Sequence, residues 1–213
     1  MKRVGLAILL LLVVSVGAYG QYSGHNQQIG VSYSVGFPMS PTKDFVKAVS
    51  WRGFGFEVRY HQNENLSFGG YIGWNIFSEK VSDPINQEGE GYAGTVSGTQ
   101  VREANYVPIF VNAHYYFADQ REAIRPYVGL NIGTIADMSR LLVGVYEVSN
   151  HPWHFALAPE VGFVVPLEGS NASLVLNGKY NYGFDSGTGL AGNESNAASY
   201  VSVNVGFLWT AFR

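Results

Sequence analysis

The sequence predicts an all-β protein, an eight-stranded antiparallel up-and-down barrel that crosses a membrane. Apolar residues alternate with small or polar ones along about eight stretches, and this period of two is typical of strands with unlike faces. Only 14% of the 213 residues are charged, below the roughly 25% of average soluble proteins. The connections alternate between short and long, as they do in membrane barrels.

The amino terminus predicts export. Lys2 and Arg3 precede the apolar run LAILLLLVVSV, and the tripeptide AYG follows at 18–20. This order is typical of a cleaved secretory signal peptide. We therefore predict a signal peptide at 1–20 and one domain, the barrel, at 21–213. An uncleaved anchor is the alternative, but the run is shorter than the roughly 20 residues of a spanning helix.

The first four strand candidates each have an aromatic or aliphatic face and a small or polar face. They are IGVSYSVGF at 29–37, GFGFEVRY at 53–60, LSFGGYIGWNIF at 66–77 and YVPIFVNAHYYF at 106–117. In the first, the large residues Ile29 and Val31 alternate with Gly30 and Ser32. A soluble sheet would carry long solvated side chains at the small positions, and this one does not.

The last four candidates continue the pattern. They are RPYVGLNIG at 125–133, WHFALAPEVGFVV at 153–165, SLVLNGKYNYG at 173–183 and YVSVNVGFLWTAF at 200–212. The fifth either continues as a strand through 134–148 or turns there into an amphipathic helix. Pro159 lies inside the sixth and cannot donate to the ladder, so we expect a bulge or a missing hydrogen bond there.

The long connections all fall at one end of the predicted barrel. Short ones lie at 61–65, 118–123 and 168–172, and long ones at 40–50, 78–102, about 134–151 and 185–198. Membrane barrels have short periplasmic turns and longer external loops. Both termini are therefore predicted to be periplasmic. The acidic, Gly-rich segment 78–102 is expected to be a solvated external loop.

Charged residues of the strands fall on the face opposite the aromatic one. They are Glu57, Arg59, His114, Glu160 and Lys179. A charge facing lipid near the midplane costs about 2–4 kcal/mol, whereas a charge in a narrow lumen can pair with its opposite. The apolar face is therefore predicted to contact hydrocarbon. A secreted lipocalin-like barrel is the alternative, but it would enclose all the aromatic residues in a lumen wide enough for one ligand.

The five lumen residues allow two interpretations, an ion-selective conduit or a set of paired charges that fills the barrel, and the second is favoured. Glu160 and Lys179 are expected to lie level with each other across the hairpin at 168–172. His114 suggests an enzyme, but no Ser lies two residues beyond it on its face. No metal-binding spacing of His residues occurs. We predict no catalytic residue, cofactor or metal.

Composition excludes further classes. The net charge of −3 gives no positive field for nucleic acid, so no nucleic-acid partner is expected. The chain has no Cys, which excludes disulfides and thiolate metal sites.

Four segments, YVPIFVNAHYYF, RPYVGLNIG, APEVGFVVPL and SYVSVNVGFLWTAF, resemble the small outer-membrane barrels grouped around OmpX, OmpA and OmpW, the "porin family". The resemblance implies a bacterial outer-membrane location, contact with outer-membrane lipid and lipopolysaccharide, and insertion by the barrel-assembly machinery. That machinery reads a terminal aromatic residue; here Phe212 is followed by Arg213.

We therefore expect a monomeric, non-enzymatic membrane protein that is structural or weakly permeative. The alternatives are passage of small apolar molecules through a lateral opening, as proposed for OmpW-like barrels, and surface adhesion through the long loops.

Overall fold

The computed structural model describes most of the predicted barrel domain. The described residues are 27–81, 85–89, 92–96, 100–119, 122–143, 146–187 and 197–211. The signal peptide predicted at 1–20 and the terminal pair Phe212 and Arg213 lie outside them. Within the described residues no helix is long and apolar enough to cross a membrane.

The described chain is almost entirely β. Its elements are β1 (Gln27–Pro38), the short helix α1 (Thr42–Phe45), β2 (Ser50–His61), β3 (Leu66–Val81), β4 (Ile85–Gly89), β5 (Tyr92–Val96), β6 (Gln100–Tyr116), β7 (Arg125–Val143), β8 (Tyr146–Asn150), β9 (Trp153–Pro166), β10 (Ala172–Gly183) and β11 (Ala198–Ala211). Strands β4 and β5 pair only with each other.

The sheet closes into an eight-stranded barrel, as the sequence predicts. Strands β1, β2, β3, β6, β7, β9, β10 and β11 follow one another around it, every neighbouring pair is antiparallel, and β1–β11 pairing closes the ring. We call the end with the connections 62–65, 117–124 and 167–171 the turn end. The loop end is opposite, with connections 39–49, 82–99 and 184–197.

Of the two alternatives left open for 134–148, the structure has the continued strand and not the helical turn, so 134–151 is not an irregular connection. Strand β7 runs on to Val143, and β8 pairs with it. The pairs Ser139↔Asn150 and Ala136↔Trp153 keep one register, so β8 and β9 are a single strand interrupted at 151–152. This part of the chain is a long hairpin that rises beyond the barrel.

The expected loop at 78–102 is also shorter than predicted. Residues 78–81 belong to β3 and residues 100–102 to β6, and these ends pair with each other, for example Lys80↔Val101. Between them lies the small hairpin of β4 and β5. The expectation of a loop over the whole of 78–102 is therefore wrong at both ends of the segment, and strands β4 and β5 lie inside it.

Proline interrupts the ladder without changing its register. Between β9 and β10 the pairs Lys179↔Glu160 and Tyr182↔Leu157 flank an unpaired step at Pro159. The register is the same on both sides, so the missing bond was predicted correctly and no bulge forms there. Pro108 in β6 leaves a similar unpaired step against β3, which the sequence analysis did not anticipate.

The two faces of the sheet have the polarity that the alternation predicts. Outward side chains are exposed, among them Val111 (68%) and Val161 (62%), whereas Arg59, Glu160 and Lys179 in the lumen are at most 1% exposed. Aromatic residues ring both ends. Trp51, Trp74 and Trp153 lie near the loop end, and Trp209 lies near the turn end, beside Ile29 and Ala172.

Candidate functional site: the barrel lumen

Arg59 is the centre of a polar network inside the barrel. Because Glu57 and Arg59 are two residues apart on β2, their side chains share the inward face. Arg59 donates from Nε and Nη2 to Glu57 Oε2, at 3.0 and 2.9 Å. It also donates from Nη1 to Tyr116 Oη (2.9 Å) and from Nη2 to Tyr127 Oη (3.0 Å). The guanidinium thus joins three strands, β2, β6 and β7.

Glu160 is the second anchor of the network. Tyr127 Oη donates to its Oε1 at 2.6 Å, and Asn131 Nδ2 donates to its Oε2 at 3.0 Å. Lys179 Nζ lies 3.4 Å from Oε2 and Arg59 Nη2 lies 3.7 Å from Oε1. Glu160 and Lys179 are directly opposite each other on β9 and β10, which is the placement that the hairpin at 168–172 predicts.

Glycines on the small face make room for the large inward side chains. The Lys179 ammonium lies 3.4 Å from the centre of the Tyr71 ring, a cation–π contact. Tyr71 occupies space over Gly55 and Gly73, where an added Cβ would lie 2.7 and 2.6 Å from the Tyr71 side chain. This packing explains why the first strands have large outward side chains and very small residues at many inward positions.

His114 lies beside the network and is fully buried. Its Nε2 is 3.5 Å from Glu160 Oε2, and its Nδ1 is 3.4 Å from Ser67 Oγ. Gly129 on β7 leaves space for the ring, because a Cβ there would lie 2.6 Å from His114 Cδ2. The structure therefore brings all five lumen residues of the sequence analysis into one cluster.

The network balances its own charge. Two carboxylates, Glu57 and Glu160, face two cations, Arg59 and Lys179. Each buried ion costs several kcal/mol of desolvation, which is offset only where its remaining donors and acceptors find partners. Here the tyrosine hydroxyls and Asn131 supply them. Tyr127 was missed by the sequence analysis, although it has the inward phase of its strand.

The loop end of the lumen is closed by the connection between β1 and β2. Helix α1 folds inward, so that Phe45 and Val46 are buried. Thr42 Oγ1 lies 3.1 Å from Tyr106 Oη and accepts a hydrogen bond from the Ser199 amide at 2.8 Å. The sequence predicted an external loop at 40–50, but part of this segment is an internal cover.

The turn end is filled by an apolar cluster. Its buried members are Tyr116, Tyr127, Val164, Val175 and Leu208. Arg125 covers this cluster, with its guanidinium carbon 4.3 Å from the centre of the Tyr116 ring. The lumen thus contains three layers. They are the apolar cover of Phe45 and Val46 at the loop end, the ionic layer of Glu57, Arg59, Glu160 and Lys179, and the apolar cluster at the turn end.

A further polar cluster lies near the loop end. Asp137 Oδ2 is 3.7 Å from His154 Nε2, and Ser186 Oγ is 3.2 Å from His154 Nδ1. His154 Nδ1 is also 2.9 Å from the Phe184 carbonyl oxygen. Because a carbonyl only accepts, the contact with Phe184 favours the tautomer that carries the proton on Nδ1, and in that tautomer Nδ1 cannot remove a proton from Ser186. Among the described residues no group of three or more His, Asp or Glu side chains could hold a metal ion.

Comparison with known proteins finds resemblance in structure only. No protein-family model matches the chain, and no curated protein matches it in sequence. Among solved structures, Neisserial surface protein A is similar at 14% identity, with 89% of this chain and 98% of that chain covered and a TM-score of 0.49.

Two further solved structures are similar over most of their length. The attachment invasion locus protein Ail of Yersinia pestis, an outer membrane protein solved with the heparin analogue sucrose octasulfate, has 12% identity, coverage of 88% and 97%, and a TM-score of 0.47. The outer membrane protein AlkL has 18% identity, coverage of 90% and 92%, and a TM-score of 0.44.

Proposed function

We propose that the protein is an integral outer-membrane barrel with a structural role, and that its lumen does not conduct. The observation that carries the proposal is the buried, charge-balanced network of Glu57, Arg59, Glu160 and Lys179, which is covered by α1 on the side of the loop end. A permeant ion would have to displace side chains whose charges are already paired.

The outer surface supports the membrane part of the proposal. Exposed aromatic and aliphatic side chains cover the barrel between its two aromatic rings, and a contiguous apolar surface of this kind is not stable in water. Backbone groups facing hydrocarbon must all be paired, and the closed ring meets this requirement over most of its length. The exceptions in the described ladder are the steps at Pro108 and Pro159 and a register shift between β1 and β2 at Ser34 and Gly36.

Planar-bilayer recording tests the closed lumen. We expect no steady discrete openings from the purified protein, with a general porin inserted into the same bilayer as the positive control. A variant that lacks 41–47 and carries Arg59→Ala opens both the cover and the network, so it should conduct. Steady openings from the unaltered protein would refute the closed lumen, even though the barrel itself would stand.

The proposal includes the absence of enzymatic activity, and two clusters bear on it. Ser67, His114 and Glu160 are close together, but all three are buried in the filled lumen, where no substrate can reach them. At the loop end, the contact of His154 Nδ1 with the Phe184 carbonyl favours the tautomer that cannot activate Ser186. Release of fatty acid from purified lipopolysaccharide or phospholipid would contradict this part.

Surface interaction is the second candidate function, and the raised wall formed by β3, β6, β7 and β8 favours it. Val81 lies seven residues beyond Trp74 on β3, which corresponds to about 23 Å of strand. A wall of this height has no role in spanning the bilayer, and it can present backbone edges to a partner. Lateral passage of apolar molecules is less favoured, because Glu160 and Lys179 fill the lumen behind the unpaired step at Pro159.

Deleting 82–99 tests this second candidate, since it removes the outer hairpin and leaves the paired ends of β3 and β6. If the wall serves in adhesion, binding of whole cells to a host-cell surface falls while uptake of small apolar compounds is unchanged. The opposite result would favour transport.

A further inference from the structure

An open groove of about 420 Å³ lies on the outer surface of the barrel toward the loop end. The strand register defines its floor. Arg52, Ile76, Asn105 and Met138 are successive cross-strand partners on β2, β3, β6 and β7. The neighbouring row on the side of the membrane contains the aromatic pair Phe54 and Trp74, and Trp74 also lines the groove. The groove therefore begins where the apolar band ends.

The groove has an excess of positive charge. Two cations, Arg52 and Arg140, line it together with His151 and one acid, Glu103. Glu103 Oε2 lies 2.6 Å from Arg140 Nη2, so these two residues pair. Arg52 is exposed, and no described side chain forms an ion pair or hydrogen bond with it. The guanidinium of Arg52 is thus available to an anion from outside the chain.

Position and charge together select the class of ligand. Rows of Trp and other aromatic residues mark the level of lipid headgroups in membrane barrels. A ligand at this level has its polar part beside Arg52 and Arg140 and its apolar part beside Trp74. Planar guanidinium groups bind phosphate oxygens in a bidentate manner.

We propose that this groove binds the phosphorylated headgroup of a lipid in the adjacent leaflet. Arg52 contacts the phosphate directly, Arg140 contributes through the donors that Glu103 does not occupy, and Trp74, Ile76 and Met138 contact the apolar part. The assignment rests on the membrane orientation proposed above, but it does not depend on whether the lumen conducts.

Native mass spectrometry of the detergent-solubilised full chain tests the groove with diphosphoryl lipid A as the probe. We expect roughly fivefold to tenfold weaker binding for Arg52→Gln, the effect of losing one charge-assisted hydrogen bond at a partly solvated site. Lys43→Gln is the matched control, because Lys43 is an exposed cation on α1, outside the groove. This variant should bind diphosphoryl lipid A as tightly as the unaltered protein does.

A gain-of-binding variant separates the site from general damage. Glu103→Gln frees Arg140 and removes a carboxylate that repels phosphate, so diphosphoryl lipid A should bind severalfold tighter. Heat-modifiable migration of each variant on a detergent gel confirms that the barrel is folded. A variant that does not migrate in this way has no folded barrel, so its result bears on the proposed membrane fold and not on the groove.

Three results would overturn the assignment. The first is an equal loss of binding for Arg52→Gln and Lys43→Gln. The second is equal binding of the dephosphorylated lipid, which would leave only apolar contact. The third is displacement of the lipid by inorganic phosphate at the same concentration, which would make the groove a site for a free anion.

Discussion

Removing the Arg59 guanidinium should leave the Glu57 carboxylate buried in the barrel without a partner. Glu57 is 4% exposed, and among the described residues Arg59 is the side chain that hydrogen-bonds it, so Arg59→Met removes its partner. Breaking one partner out of a buried pair costs about 3–5 kcal/mol, since the remaining charge has neither water nor a counterion. We expect the free energy of unfolding to fall by this amount.

The double variant Arg59→Met/Glu57→Met removes both charges, and it should recover much of the loss. Net charge in the lumen stays balanced by Glu160 and Lys179, and a buried ion pair replaced by apolar residues of similar volume is often close to neutral. The remaining cost is about 1–2 kcal/mol, because Tyr116 Oη loses its donor. The double variant should therefore be about 2–3 kcal/mol more stable than Arg59→Met.

Urea titration of the protein in lipid vesicles, read by Trp fluorescence, measures these differences. The matched control is the pair Glu103 and Arg140, in which Oε2 and Nη2 are 2.6 Å apart and Arg140 is half exposed. The same difference, between Arg140→Met and Arg140→Met/Glu103→Met, should stay below about 1 kcal/mol. If the double variant is no more stable than Arg59→Met, then the Glu57 carboxylate in Arg59→Met is not a buried charge without a partner. The ionic layer would then have no energetic role of the kind described.

Three further predictions use the same unfolding assay or a simpler one. Gly129→Val pushes a side chain into the ring of His114 and should cost about 1–3 kcal/mol, whereas Gly178→Ala, which meets open space on the outside, should be tolerated. Thr42→Val removes two hydrogen bonds that hold α1 in the lumen, so trypsin should cleave the intact barrel faster after Lys43; an unchanged rate would mean that apolar packing holds the cover. Phe56→Arg places a charge in the apolar band and should cost about 2–4 kcal/mol of insertion, visible as less heat-modifiable protein.

The hydrophobic alternation was sufficient for the strands that contact lipid, and beyond them its phase was unclear. On β7 the inward and outward phases are distinct up to Ile132, but Met138 and Arg140 point outward past the aromatic ring, where no single solvent selects apolar residues. A period of two therefore left open whether the strand continues past 133 or turns into a helix. The continuation is fixed instead by pairing along the edge of β7.

Only part of the candidate site was predicted from the sequence. The inward phase of Glu57, Arg59 and His114 follows from their positions on the strands, and the contact of Glu160 with Lys179 follows from a short hairpin. The contacts of Arg59 with Tyr116 and Tyr127 do not, because β2 and β7 meet only across the lumen of the closed ring.

The sequence by itself determined which side chains face hydrocarbon and which are enclosed, because successive side chains of each strand point to opposite faces of the sheet. Tertiary structure decided what the enclosed side chains do: α1 turns inward, the charges balance one another, and the outer groove acquires an unpaired arginine. These outcomes depend on distances between strands that are far apart in the chain, and a local period contains no information about such distances.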